Sequence, residues 1–249
     1  MSAHDFINLK TYPIGADGPE RVALLETVRA DLERDGCAVL KGFLTADGVA
    51  ALTAEAESVS EQGHRSFNRT NAYFTKDDPD LPADHPKRQF FDRSNAFIPA
   101  DNFSPEGALR QIHDFEGFDA FIQACLQEEN FYRYADPLAD VIVNMAEEGE
   151  GFPWHFDTNN FTVTLAIQNA ESGGAFEYAP AIRAENENFD EVGRVLRGQS
   201  DRVKVLELEP GDLQLFRGRN SLHRVAPLKG LRRRYVAIFS YVEEPNMVG

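Results

Sequence analysis

The pair His155-x-Asp157, with His223 far along the chain, is the feature that most constrains this fold. In an extended segment residues two apart point to the same side, so His155 and Asp157 share one face of a strand. His223 has to return to that face on a second strand, which is expected to close a cage across a barrel interior. Two imidazoles and one carboxylate on one face of a metal leave three coordination positions free. That donor set suits Fe(II), and the free positions can take a chelating ligand and O2 together.

A lone His-x-Asp arises easily by chance, and the alternative is a core histidine followed by a turn aspartate before Thr158-Asn159-Asn160. The surroundings weigh against that alternative. Phe152-Pro153-Trp154 precedes the pair and the apolar run 161–167 follows it, a strand–turn–strand passage. The turn Pro210-Gly211-Asp212 and the run 213–216 lead up to His223, and residues 232–241 supply a last strand that begins with three arginines.

His155, Asp157, His223 and then Arg234, in this order, resemble the Fe(II)/2-oxoglutarate-dependent dioxygenase superfamily, across residues 140–243. The resemblance implies an α+β, mainly β fold: a double-stranded β-helix, or jelly roll, with flanking N-terminal helices and the metal inside one end. It also implies Fe(II), the cosubstrate 2-oxoglutarate and O2. Segments 152–159, 173–180 and 218–225 are similar to the BesD-like amino-acid halogenases. Those enzymes carry Gly where this chain has Asp157, so the resemblance implies a hydroxylating relative that retains Asp in the metal triad.

Charge and cysteine content narrow the partners. Against 25 Lys and Arg stand 41 Asp and Glu, a formal charge of −16. Nucleic acids and anionic membranes need a basic footprint, so neither is expected as a partner; a cationic or zwitterionic small molecule is compatible. Cys37 and Cys125 lie far apart, which argues against a disulfide framework and for a reducing compartment. Residues 1–10 lack the apolar core of a signal peptide, and no run reaches the length of a membrane span. A cytoplasmic monomer or homodimer is the expectation.

One oxygenase domain is expected over 1–249, with a helical buttress and lid in 1–139 and the catalytic jelly roll in 140–243. Pro19 suits the first turn of a helix over 19–35, Val22, Leu25, Val28 and Leu32 share its face, and Gly36 ends it. Residues 37–40 read as a short buried strand. Thr45 caps a second helix over 46–61 that turns Val49, Leu52 and Val59 inward. Residues 64–104, rich in Pro and aromatic residues but without periodicity, read as an ordered wrap over the barrel mouth. A helix from 104 to 128 follows, then short strands over 140–145, 152–157, 161–168, 175–178, 203–208, 212–216, 222–226 and 234–242. About eight strands suit a jelly roll. The polar stretch 184–201 reads as an exposed excursion.

A 2-oxo acid that chelates iron leaves its distal carboxylate to be held elsewhere. Arginine suits that task, because its planar fork binds carboxylate with two hydrogen bonds and keeps its proton. Arg232 and Arg234 share strand parity, whereas Arg233 faces the other way. The string 234–239 resembles the cosubstrate-binding strand of related oxygenases, so Arg234 is chosen with Arg232 second; the alternative is a basic hairpin end at the surface. Thr164 and Asn144 interrupt apolar strands and are candidates to contact the cosubstrate, since buried polar groups need partners. Arg88, Arg93 and Asn95 in the lid, and Arg183 near the mouth, are candidate substrate contacts. Trp154 is expected to point outward and pack under a helix. His4, His64, His85 and His113 are expected at the surface or in local hydrogen bonds.

The leading function is an Fe(II)- and 2-oxoglutarate-dependent hydroxylase of a small molecule, with a free amino acid or related amine as the favoured class. Its cosubstrate decarboxylates to succinate and CO2. Two alternatives are a cupin-like metal enzyme that does not use 2-oxoglutarate and a non-catalytic jelly-roll binding module. The fold is common to all three, so only the site can separate them.

Overall fold

Side chains alternate along the strands between an apolar and a more polar face, and that alternation organises the molecule. The structure is a computed structural model and describes residues 2–248. Its strands are β1 (Cys37–Leu40), β2 (His64–Thr70), β3 (Phe91–Ile98), β4 (Tyr132–Arg133), β5 (Val141–Ala146), β6 (Phe152–His155), β7 (Thr162–Gln168) and β8 (Ser172–Gly173). There follow β9 (Phe176–Ala179), β10 (Lys204–Leu206), β11 (Leu213–Phe216), β12 (Leu222–Val225), β13 (Leu228–Lys229), β14 (Arg234–Phe239) and β15 (Tyr241–Val242). A seven-stranded sheet has the order β1-β11-β7-β14-β5-β3-β2, and a four-stranded sheet the order β10-β9-β12-β6. All pairings within both are antiparallel. Phe216 of the large sheet meets Phe176 and His223 of the small one, with ring centroids 5.0 and 4.8 Å apart. The two sheets thus pack face to face as the double-stranded β-helix.

The outer face of the large sheet carries the main core. Val163, Leu165 and Ile167 of β7, with Tyr235, Ala237 and Phe239 of β14, are buried against helices α2 (Pro19–Asp35), α3 (Ala46–Val59), α4 (Ala108–His113) and α5 (Phe118–Leu126). The short α1 (Ala3–Phe6) adds Phe6 to the same cluster. Gly36 ends α2 at φ 65, a left-handed conformation that glycine adopts without strain. Thr45 Oγ1 accepts a hydrogen bond from Gly48 N–H at 3.1 Å and caps α3. Leu25, Val28 and Leu32 point inward as expected, but Val22 is 55% exposed and lies off that stripe. Among the described residues no helix is long and apolar enough to cross a membrane.

Three expectations need correction. Residues 64–104 do not lack regular structure: β2 and β3 form a hairpin that extends the large sheet through β3–β5 pairing. Its edge strand, His64–Thr70, is polar because it is exposed, so it shows no apolar alternation. The helix expected over 104–128 is broken in two at Gly117, whose φ is +87. The polar stretch 184–201 contains helix α6 (Phe189–Leu196), which buries Val192 and Val195 in a cluster with Trp154, Phe156 and Ile182. Trp154 therefore faces outward and is covered, as expected.

His113 departs furthest from its expected place. It is fully buried among Phe239 and Tyr241, and neither ring nitrogen has a hydrogen-bond partner among the described residues. Burial pushes its pKa down to about 4; the Arg133 cation acts the same way, and Asp119, Asp140 and Asp114 oppose it. The unfolded chain accepts this proton near 6.5 and the native one only near 4, so stability falls as pH drops between them. At about 1.4 kcal/mol per pKa unit, His113 contributes roughly 3 kcal/mol of that fall. His113→Phe, which preserves the aromatic packing, is expected to flatten the acid limb by this amount, measured by urea unfolding across the window.

Candidate metal centre

Strand pairing brings two of the three candidate ligands together. His155 ends β6 and lies directly opposite His223 of β12, with ring centroids 4.2 Å apart. The second histidine therefore comes from the neighbouring strand of the same small sheet, not from across the barrel. His155 Nδ1 donates to Pro153 O at 2.8 Å, and His223 Nδ1 donates to Ser221 O at 2.9 Å. A carbonyl can only accept, so each Nδ1 carries the proton and each Nε2 keeps a free lone pair.

Asp157 lies just beyond β6, where the chain leaves the sheet. Its Oδ1 is 3.6 Å from His155 Nε2 and 3.4 Å from His223 Nε2. Its other oxygen, Oδ2, accepts a hydrogen bond from Thr162 at 2.5 Å. The donor atoms of His155, Asp157 and His223 all lie within 4.8 Å of one another. Metal bonds of about 2.1 Å at right angles place donor atoms about 3 Å apart, so this set fits a divalent metal after slight closure.

The electrostatics favour the same state. Burial alone would raise the Asp157 carboxyl, but the neighbouring His223 and His155 rings hold it well below the usual carboxylate range. Burial, then His223, pushes His155 down, opposed by Asp157. An ionised carboxylate and a neutral imidazole are what a metal needs.

Of the three arginines, Arg232 is spent on the carbonyls of Asn169 and Ala170, at 2.9 and 3.0 Å. Arg233 pairs with Glu147 and Glu61 at 2.9 and 3.1 Å. Arg234 alone has no ion pair or hydrogen bond among the described residues, and desolvation lowers its pKa to about 10. Its side chain enters a cavity of about 300 Å³ that Phe176 also lines, and Phe176 packs 5.6 Å from the His223 ring. Thr164 donates to Gln214 Oε1 at 3.0 Å, and Asn144 donates to Asn95 at 3.5 Å, so both polar pairs are partnered within the protein.

The candidate substrate residues divide. A second cavity, of about 270 Å³, is lined by His155, Asp157, Arg93, Phe74, Thr162 and Ile238, among others. Arg93 lies over the Phe74 and Phe152 rings, 5.0 and 5.2 Å from their centroids, without a carboxylate partner among the described residues. Burial lowers its pKa and Asp157 opposes that shift. Asn95, two residues on along β3, reaches the interior through Asn144. Arg88 instead ties the lid together through Asp77 and Leu81 O. Arg183 stacks 4.1 Å from the Phe156 centroid and donates to Arg219 O, on the outer side of the small sheet. Neither of these two lines the metal cavity. A cavity of about 970 Å³ beside Glu57, Glu147 and Arg233 also lies away from it.

Sequence reasoning passed over Thr162 and Phe74. Thr162 shares strand parity with Thr164, which was the available signal. Phe74 comes from the lid turn 71–75, which the fully buried Asn71 organises by accepting from Tyr73 N and Thr75 N and donating to Lys87 O. Phe74 itself has φ 56, uncommon for a non-glycine residue, and its ring lies 5.6 Å from that of His155. The lid is joined to the ligand segment where Phe156 N–H donates to Ala72 O at 2.9 Å.

This fold is that of the iron- and 2-oxoglutarate-dependent dioxygenases. A 2OG-Fe(II) oxygenase from Burkholderia pseudomallei superposes with a TM-score of 0.57 at 13% identity, covering 88% of this chain and 91% of its own. The non-haem α-ketoglutarate-dependent epimerase SnoN of nogalamycin biosynthesis gives 0.60 at 15%, covering 89% and 83%. A prolyl hydroxylase from Trichoplax adhaerens gives 0.55 at 16%, covering 91% and 92%. The chain belongs to the Halogenase D family, whose model matches residues 21–248. No curated protein matches the sequence.

A half-buried cation without a partner is destabilising until an anion reaches it. Arg234→Met is therefore expected to stabilise the ligand-free protein by about 1–3 kcal/mol, the sign seen when buried charge is replaced by apolar volume. Thermal melts with and without 2-oxoglutarate check this: the ligand should raise the wild-type midpoint and leave the variant unmoved.

Proposed function

We propose that this protein is an Fe(II)- and 2-oxoglutarate-dependent hydroxylase acting on a free amino acid or related small amine. The observation that carries the reading is the Asp157 carboxylate, in place beside the two histidine Nε2 atoms. His155, Asp157 and His223 are the metal ligands, and Arg234 receives the distal carboxylate of 2-oxoglutarate. When bound, iron with 2-oxoglutarate and O2 supplies the oxidising power, as the cosubstrate loses CO2 and becomes succinate. A second structure of SnoN holds Fe3+ and α-ketoglutarate.

The chain's own groups bind, orient and exclude water. His155 and His223 are fixed in tautomer by Pro153 O and Ser221 O, so their Nε2 atoms meet the metal without a change of tautomer. Arg93, partnerless beside the metal cavity, suits a substrate carboxylate. The adjoining cavity, of about 230 Å³, shares Thr158, Asn159, Phe161 and Tyr241 with the first and adds Glu243 and Glu244. A cation near those glutamates and an anion at Arg93 match the two poles of an amino acid. Phe74 and Phe152 flank Arg93 and reduce its solvent contact, which strengthens a charge pair formed there. Asn95 and Asn144 lend polar contacts to the same interior. The unpaired Arg234 speaks for a 2-oxo acid and against a cupin-like enzyme without one.

Membership of the Halogenase D family favours a second outcome, chlorination. Halide transfer needs a metal position for chloride, and Asp157 fills the position that a glycine would vacate. Reactions with Fe(II), 2-oxoglutarate, O2, excess chloride and a panel of amino acids and amines decide between them. The expected product carries one added oxygen atom, with succinate formed alongside. A dominant product with chlorine in place of hydrogen overturns the hydroxylase reading, and stimulation of succinate by fatty acids or nucleosides alone overturns the substrate class. In the same assay His155→Ala and His223→Ala are expected to lose stoichiometric Fe(II), seen by metal analysis, and to lose turnover while retaining the circular dichroism of the fold.

A further inference from the structure

Asp157 is the ligand that strand pairing fixes least, because it lies past the end of β6. Two residues outside the donor set hold it instead. Thr162, at the start of β7, donates its hydroxyl to Oδ2 at 2.5 Å and leaves Oδ1 facing both imidazoles. Gly218, between β11 and β12, accepts from Asp157 N–H through its carbonyl at 3.2 Å. A Cβ placed on Gly218 would lie 1.8 Å from Oδ2 and 2.6 Å from the carboxylate carbon. Gly218 does not have a left-handed backbone conformation, so conformation does not call for glycine here. What calls for it is the space the carboxylate occupies.

We propose that Thr162 and Gly218 are positioning residues that hold Asp157 as a one-oxygen metal ligand, an inference that rests on the metal-site reading above. Thr162 engages the second oxygen, which therefore does not turn toward the metal to chelate it. Gly218 leaves open the space that the carboxylate fills while Oδ1 faces the two histidines and the hydroxyl bond is kept. Together they keep the carboxylate at the third metal position and an outside anion such as chloride away from it. The two positions thus act on the choice between hydroxyl and halide through Asp157.

Co(II), whose visible absorption is sensitive to its ligands, is the probe. Titrated into the full-length protein, Thr162→Val is expected to weaken Co(II) binding about 10–100-fold, as loss of a hydrogen bond to a ligand does, and to change the spectrum. Thr162→Ser should retain wild-type affinity and spectrum. Gly218→Ala should weaken Co(II) binding at least as much when Asp157 is present. In an Asp157→Gly background, the same Gly218→Ala change should cost nothing further, because the atoms it displaces are gone. Circular dichroism verifies that each variant is folded. Wild-type affinity and spectrum in both Thr162→Val and Gly218→Ala overturn the proposal, as does an equal loss from Gly218→Ala in the two backgrounds. Failure of the wild type to bind Co(II) at one equivalent overturns the metal-site reading itself, and this proposal with it.

Discussion

The pairing of β6 with β12 is the interaction on which the rest of the site depends. It sets His155 opposite His223 within one hydrogen-bonded ladder, so their separation follows from strand geometry and not from loop conformation. The bulge between His223 and Val225 falls directly after the ligand, a place where such irregularities re-aim side chains. A ladder this short is stable only because it is covered on both sides. Phe216 and Phe176 pack on the ligand face, and Trp154 with the α6 residues Val192 and Val195 pack on the other.

The large sheet divides its labour between faces. Its outer face buries Val, Leu, Ile and aromatic side chains against four helices, and each such side chain contributes about 1.5–3 kcal/mol. The inner face gives up much of that burial to carry Asn144, Thr164, Gln214 and Arg234. These polar groups are tolerable where they pair, as Thr164 does with Gln214 and Asn144 with Asn95. Arg234 is the exception, an inner-face charge left without a partner. Stability is thus concentrated on one side of the sheet and chemistry on the other.

Much of this was legible because both periods used in the reading are local. The strand alternation around His155, Thr164 and Arg234 exposed the inner face, and Pro19, Gly36 and Thr45 marked helix ends. Parity also separated Arg233 from its neighbours, and the structure shows Arg233 paired on the outer side with Glu57, Glu61 and Glu147. The hairpin β2–β3 was not legible, because an exposed edge strand has no buried face to impose alternation. Helix α6 was hidden by its polar composition. The places of Arg88, Arg183 and His113 depend on which distant groups the fold brings near them, and no local pattern encodes that. Thr162 was within reach of the parity argument, but its role depends on Asp157 bending back toward β7.

The hydrogen bond between Phe156 N–H and Ala72 O joins the cover of the cavity to the one residue between two ligands. A flap hinged at both ends moves independently of the floor beneath it, but this one is stitched to the floor at its centre. Asn71 stiffens the stitch by binding four backbone groups of the same loop and its far side. Lifting the cover beyond a small distance therefore breaks a bond in the segment that carries His155 and Asp157. Opening of the cavity past Phe74 and the placement of the proposed ligands are mechanically coupled, so that strain on the cover is felt by the floor.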